Sequence, residues 1–247
     1  MELDGRVVVV TGGTRGVGAG IARAFVRAGA RVVVCARRPP ERPVDGAAFL
    51  PLDLRDPDAT EDFFTTVADR HGRLDTLVNN AGGTPFRLLT DAGAARHARV
   101  LELNLTTPLT ASLAAHPHLR AARGSIVMIG SVSATRPSPG SAAYGAAKAG
   151  LESLARSMAV EWAPEIRVNT LVVGMVRTAS AHLHYGDAES RSAVARTVPL
   201  GRLAEPADVG DAAVFLASPR AAYVTGASLL LHGGGERPAF LDATRRS

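Results

Sequence analysis

The chain has 247 residues, 46% of them hydrophobic, with a mean hydropathy of +0.09 and a formal net charge of +5. That length suits one large α/β domain, and a single cysteine, Cys35, excludes a disulfide framework or a cysteine-based zinc site and fits a reducing, cytoplasmic setting. Acidic residues ahead of a short first apolar run argue against a secretory signal, no stretch approaches the roughly 20 apolar residues of a membrane span, and scattered arginines without interleaved aromatics argue against nucleic acid as a partner.

In chain order, short β-branched runs predict strands at 6–10, 31–35, 48–52, 75–79, 125–129, 167–173 and 228–231. Apolar spacing of helical period predicts helices at 18–28, 60–71 and 142–162. Continuous apolar strands alternating with helices predict a single-domain Rossmann-type doubly wound parallel sheet of about seven strands, covered on both faces. The Pro-rich 37–46 reads as a surface connection, and the stretch from 233 onward as a loop with a short apolar anchor.

After the first strand comes Thr11-Gly-Gly-Thr-Arg-Gly-Val-Gly18. Glycines at 12, 16 and 18 suit a sharp strand-to-helix turn whose backbone N–H groups face a pyrophosphate at the positive helix end, although the spacing differs from G-x-G-x-x-G. The second strand ends in Arg37-Arg38, where an NAD-binding unit would carry an acidic residue for the ribose. An arginine fork suits a 2′-phosphate, with Arg15 as an added cation, so NADP(H) is expected over NAD(H).

The ordered motifs identify a resemblance to the short-chain dehydrogenase/reductase family, and within it to 3-oxoacyl-(acyl-carrier-protein) reductase-like ketoreductases. They are "TGGTRGVG" at 11–18, "NNAG" at 79–82, Asn104 in "LELNL", Ser131 in "IGSVS", and Tyr144-x-x-x-Lys148. "IRVNTLVVG" at 166–174 and the run from Pro199 through "YVTGASLLLHGGG" extend it over nearly the whole chain. The resemblance implies a catalytic tetrad of Asn104, Ser131, Tyr144 and Lys148. It implies a cofactor set of Gly12, Thr14, Arg15, Gly16, Val17, Gly18, Arg37, Arg38, Asp53, Leu54, Asn80, Ala81, Gly82, Tyr144, Lys148, Gly174, Val176 and Thr178. Of these, Asp53 and Leu54 would flank the adenine and Thr178 would reach the nicotinamide carboxamide. It also implies a homotetramer or homodimer built on helices near 91–116 and 142–162. Two positions depart from the family pattern: Val173 precedes Gly174 where proline is usual, and His232 replaces an aspartate.

Lys148 is the chain's one lysine among 28 cationic residues. Four residues apart on a helix, Tyr144 and Lys148 share a face. A neighbouring ammonium and an oxidised nicotinamide are both expected to favour the tyrosinate and bring its pKa toward the working range. In the reductive direction Tyr144 would then give a proton to a carbonyl oxygen, Ser131 would hydrogen-bond that oxygen, and Asn104 would hold a water linking Lys148 to solvent. Three functions stay open: an NADPH-dependent ketoreductase acting on a β-ketoacyl thioester or polyketide-like carbonyl, an NAD(P)-dependent secondary-alcohol dehydrogenase, and a non-enzymatic dinucleotide sensor. A lid is expected at about 175–202, with His182, His184 and Tyr185 facing substrate, and no metal is expected because no cysteine or acidic ligand pattern accompanies the two histidines.

Overall fold

The computed structural model describes residues 2–179 and 185–238. Seven strands, β1 (Val7–Thr11), β2 (Arg31–Ala36), β3 (Ala47–Pro51), β4 (Thr76–Asn79), β5 (Ser125–Ser131), β6 (Arg167–Val173) and β7 (Ser228–Leu231), form one sheet in the order β3-β2-β1-β4-β5-β6-β7. Every pairing is parallel. The order runs outward in both directions from β1 and β4, so the crevice at their carboxyl ends is where a doubly wound sheet receives a ligand.

Strand side chains alternate between the two faces, and both faces are apolar. On one, Val9, Val33, Leu77, Ile126 and Val168 pack against α2 (Pro57–His71), α4 (Thr107–Ala122) and α5 (Ala142–Glu161) through Phe64, Leu119 and Leu151. On the other, Val8, Val34, Val127 and Leu171 pack against α1 (Gly16–Arg27) and α7 (Pro206–Ala217) through Phe25 and Leu216. Each such burial contributes about 1.5–3 kcal/mol, which explains why these strands carry continuous Val, Ile and Leu runs. Two shorter helices, α3 (Ala94–Leu101) and α6 (Ala188–Thr197), complete the set named here.

Local chemistry sets the element ends. Helix α2 begins at Pro57, three residues before the expected start, because Asp56 caps it by accepting from the Ala59 N–H at 3.1 Å and proline suits the first turn. It stops at Gly72, whose φ of +75° is left-handed. Strand β5 runs two residues past the expected end, since Gly130 and Ser131 stay in register with Val172 and Val173 of β6. Between α3 and α4 the chain forms a π-helical turn, Glu102–Thr106. The segment expected as a lid contains α6, while His182 and His184 lie outside the described residues.

At the opposite end of the sheet Asp75 ties β1 to the turn before β4. Its carboxylate accepts from Arg6 at 2.7 Å, from Arg73 at 2.6 and 2.8 Å, and from the Val7 N–H at 2.8 Å. Burial pushes the Asp75 pKa up, but the bonds from Arg73, Val7 and Arg6 outweigh it and leave the group below the ordinary carboxylate range. A depressed native pKa stabilises the fold above the unfolded value near 4, and that stability is lost as pH falls. Asp75→Asn is expected to cost about 2 kcal/mol at pH 7, discounted from a fully buried pair because both arginines are partly exposed, and the gap to the parent should narrow toward pH 3. Urea unfolding at both pH values checks this; a gap independent of pH contradicts it.

Candidate active site

The turn from β1 into α1 is shaped by close backbone approach. Gly12 has a φ of +61°. A Cβ added to Gly18 would stand 2.3 Å from the Gly12 oxygen and 2.5 Å from Asn80 Nδ2, so no other residue fits there. Asn80 braces the turn, its amide donating to the Thr11 and Gly12 carbonyls at 2.9 and 3.2 Å. Thr11, which the motif reading gave no role, accepts from the N–H groups of Asn80 and Ala81 at 3.0 Å each, and its buried side chain locks β1 to the end of β4.

Helix α1 begins at Arg15 with no side-chain cap and no acidic residue in its first turn. Its first N–H groups and its dipole are therefore directed into the crevice, where an anion would satisfy them. Thr178 lies across the same turn, within 4 Å of where a Cβ on Gly16 would sit. Gly174 and Val176 follow the end of β6, and Val176 bridges to Ala204.

Arg15, Arg37 and Arg38 are exposed and form no ion pair among the described residues. Ala36 ends β2, so that strand offers no carboxylate to a ribose. Asp53, after β3, is bound by Arg55, whose Nε donates at 2.9 Å. That bond first, with lesser pulls from the Arg55 backbone N–H and charge and from Arg37, lowers its pKa to about 2. Leu54 packs partly against the core on the α2 side of the sheet.

Strand β5 and helix α5 meet at two points. Lys148, 3% exposed, donates from Nζ to the Ile129 carbonyl at 2.8 Å. Two residues on, the Ser131 hydroxyl lies near enough to the Tyr144 phenol to pull its pKa down. Lys148 Nζ stands 5.6 Å from the Tyr144 ring centroid, so the helical spacing does bring the two groups together.

The π-turn carries Asn104 into the same region. Its Oδ1 accepts from the Gly83 N–H at 2.8 Å, while Nδ2 donates to the Gly83 and Val100 carbonyls at 3.0 and 2.9 Å. A Cβ on Gly82 would lie 2.6 Å from Asn104 Oδ1 and 3.7 Å from Lys148 Nζ, so the three groups border one point. Asn104 is thus engaged with both the loop after β4 and α3, a structural part that the motif did not announce. Inserted π-turns recur at functional sites because the extra residue re-aims a side chain.

Electrostatics depart from the sequence expectation for Tyr144. Burial raises its pKa, and only the Ser131 hydrogen bond lowers it; the expected downward pull from Lys148 is not among the causes. The reason is on the lysine: burial lowers its own pKa from 10.5 to about 8, so its charge is weakly held. Tyr185, at the end of the undescribed stretch, is raised mainly by burial and feels Arg136, Tyr144 and Glu236, which brings it to the Tyr144 side of the site. Arg136 and Glu236 form an ion pair there. Among the described residues no three His, Cys, Asp or Glu side chains converge as metal ligands, and no helix is long and apolar enough to cross a membrane. Cys35 is buried and its thiol is pushed up to about 12 by burial, which makes it inert.

The family model described as enoyl-(acyl carrier protein) reductase matches residues 12–236. The chain is a short-chain dehydrogenase/reductase. It is 38% identical to an L-fucose dehydrogenase of Oryctolagus cuniculus over 94% of this chain and 85% of that one. It is 35% identical to the 3-oxoacyl-(acyl-carrier-protein) reductase FabG of Vibrio cholerae over 95% and 98%. The ligand-free aldohexose dehydrogenase of Thermoplasma acidophilum superposes with a TM-score of 0.89 at 29% identity, covering 94% of each chain. Short-chain dehydrogenase/reductases are oxidoreductases that bind a nicotinamide dinucleotide and act on small molecules.

Because Lys148 is the chain's one lysine, protein labelled with 13C-lysine gives one side-chain signal to titrate. Its midpoint is expected near 8, against 10.5 for an ordinary lysine. A midpoint above 10 would contradict the burial of the charge.

Proposed function

We propose that the chain is an NADP(H)-dependent ketoreductase that reduces a carbonyl substrate, with a β-ketoacyl thioester or polyketide-like ketone as the substrate class. The observation that carries this reading is the convergence at the carboxyl end of β5 of the buried Lys148, bonded to the Ile129 carbonyl, the Tyr144 ring 5.6 Å from its Nζ, and the nearby Ser131 hydroxyl. The cofactor's backbone would lie along Gly12, Thr14, Arg15, Gly16, Val17 and Gly18, against Asn80, Ala81 and Gly82. Asp53 and Leu54 would border the adenine, and Gly174, Val176 and Thr178 the nicotinamide.

Once bound, the nicotinamide supplies the hydride. Tyr144 donates its phenolic proton to the substrate oxygen as charge develops there. Ser131 donates a second hydrogen bond to the same oxygen, a role suited to a hydroxyl held at a strand end. Lys148 would hold the ribose hydroxyls with the Nζ donors not used on the Ile129 carbonyl and, with a pKa near 8, is able to pass a proton toward Tyr144 at working pH. Asn104 keeps the Gly83 backbone in place beside Lys148, and a water on that side would return the proton from solvent.

The same residues run the reaction backward, and the L-fucose dehydrogenase relatives favour oxidation of a secondary alcohol as the second reading. Association into a homotetramer or homodimer belongs to the proposal; Leu113 on α4 and Val160 on α5 stay exposed on faces a second copy would cover.

For the cofactor, the free guanidinium groups of Arg37, Arg38 and Arg15 support a 2′-phosphate. One charge-assisted hydrogen bond is worth about 1.5–3 kcal/mol, so kcat/KM for NADPH should exceed that for NADH by about tenfold or more. Arg37→Glu should invert the ratio. Equal or better use of NADH by the parent chain overturns the assignment.

A further inference from the structure

A small cavity of about 20 Å³ opens beside the catalytic helix, bounded by the loop after β4, by α3 and by the first turn of α5. Its walls include Arg87, Arg96, His97, Ser141 and Ala143, the last immediately before Tyr144. Two features of this space favour negative charge, its unpaired arginines and the start of a helix. Arg87 Nε is buried and has no hydrogen-bond partner. Neither Arg87 nor Arg96 forms an ion pair among the described residues. Helix α5, 20 residues long, starts at Ser141 with no side-chain cap and no acidic residue in its first turn, so its dipole and first N–H groups also face this end.

A buried unpaired guanidinium nitrogen costs free energy unless something fills the gap, and the nearby carbonyl groups are already committed. The Gly140 carbonyl accepts from the Arg87 backbone N–H at 2.7 Å, the Leu89 carbonyl is bonded to the His97 ring at 3.0 Å, and the Val100 carbonyl holds Asn104. Phe86 packs over Gly140, and the cavity wall reaches Ala143, the residue before Tyr144.

We infer that this cavity is a subsite for one oxygen of a carboxylate on the substrate, held by Arg87 with help from Arg96 and the α5 N-terminus. The inference rests on the ketoreductase reading and selects within it: the substrate is a ketone or secondary alcohol that bears a free carboxylate, which sets aside a β-ketoacyl thioester. The bidentate fork of arginine, aimed past a neutral reacting centre, would set which carbonyl is presented to Tyr144.

The test compares acetoacetate and 4-oxopentanoate with their methyl esters in NADPH-coupled reduction, for the parent chain and for Arg87→Met and Arg87→Lys. The parent should prefer each acid over its ester, through a lower KM. That acid-to-ester ratio of kcat/KM should fall by about tenfold or more in Arg87→Met and recover in part in Arg87→Lys. An unchanged ratio in Arg87→Met overturns the subsite, and so does a parent that prefers the esters. Should no ketone be reduced, the ketoreductase reading fails, and calorimetric titration of the NADPH-bound protein with 4-oxopentanoate then decides the subsite alone. Binding by the parent and its loss in Arg87→Met keeps the anion site, whereas equal binding or none removes it.

Discussion

The arrangement depends on one buried charge, the Lys148 ammonium held against the Ile129 carbonyl. Lowering a lysine pKa from 10.5 to about 8 corresponds to about 3 kcal/mol disfavouring the charged form, more than the 0.5–1.5 kcal/mol a typical hydrogen bond returns. No carboxylate offsets it among the groups that shift this lysine. The surrounding fold therefore sustains it: Leu151, Ala155 and Met158 on the same helix are packed into the core against Ile126 and Met128 of β5. The apolar contact fixes helix against strand, and the polar contacts at Ile129 and Ser131 then occur in register.

The parallel sheet explains why the other parts arrive at the same place. The chain passes from strand to connection at the carboxyl ends of β1, β4, β5 and β6, and those ends supply the glycine turn, Asn80 to Gly82, Ser131 and Gly174. The capped amino ends of other elements carry different chemistry. Helix α2 is capped by Asp56, and α7 by a reciprocal pair in which Asp208 accepts from the Glu205 N–H at 2.7 Å. Helices α1 and α5, the two that open onto the site, have no such cap. Helices α3 and α4 also start without a side-chain cap, at Gly93 and Thr106.

The sequence made much of this legible, for identifiable reasons. Strands β6 and β7 match their expected limits residue for residue because apolar runs bounded by polar or turn residues mark both ends. The end of β5 was less visible: Gly130 and Ser131 look like a turn until β6 lies alongside them. Asn104 stood out as a motif residue, but its place in a π-turn and its grip on Gly83 depend on tertiary contacts that no local pattern encodes. The direction of the Tyr144 shift was missed because spacing reveals proximity to Lys148 and not the burial of both groups. Arg87 belongs to no motif; only the cavity and its orphaned Nε distinguish it from the 26 other arginines.

The central claim is that the buried cation must be compact and able to shed its proton, which lysine satisfies and a planar guanidinium with a pKa above 12 does not. Lys148→Arg, assayed for steady-state ketone reduction and for NADPH binding by fluorescence, tests it most directly. The account predicts turnover reduced by about 100-fold or more with the folded chain retained. Turnover close to that of the parent chain would contradict it, and the one lysine in this arginine-rich sequence would then need no chemical reason.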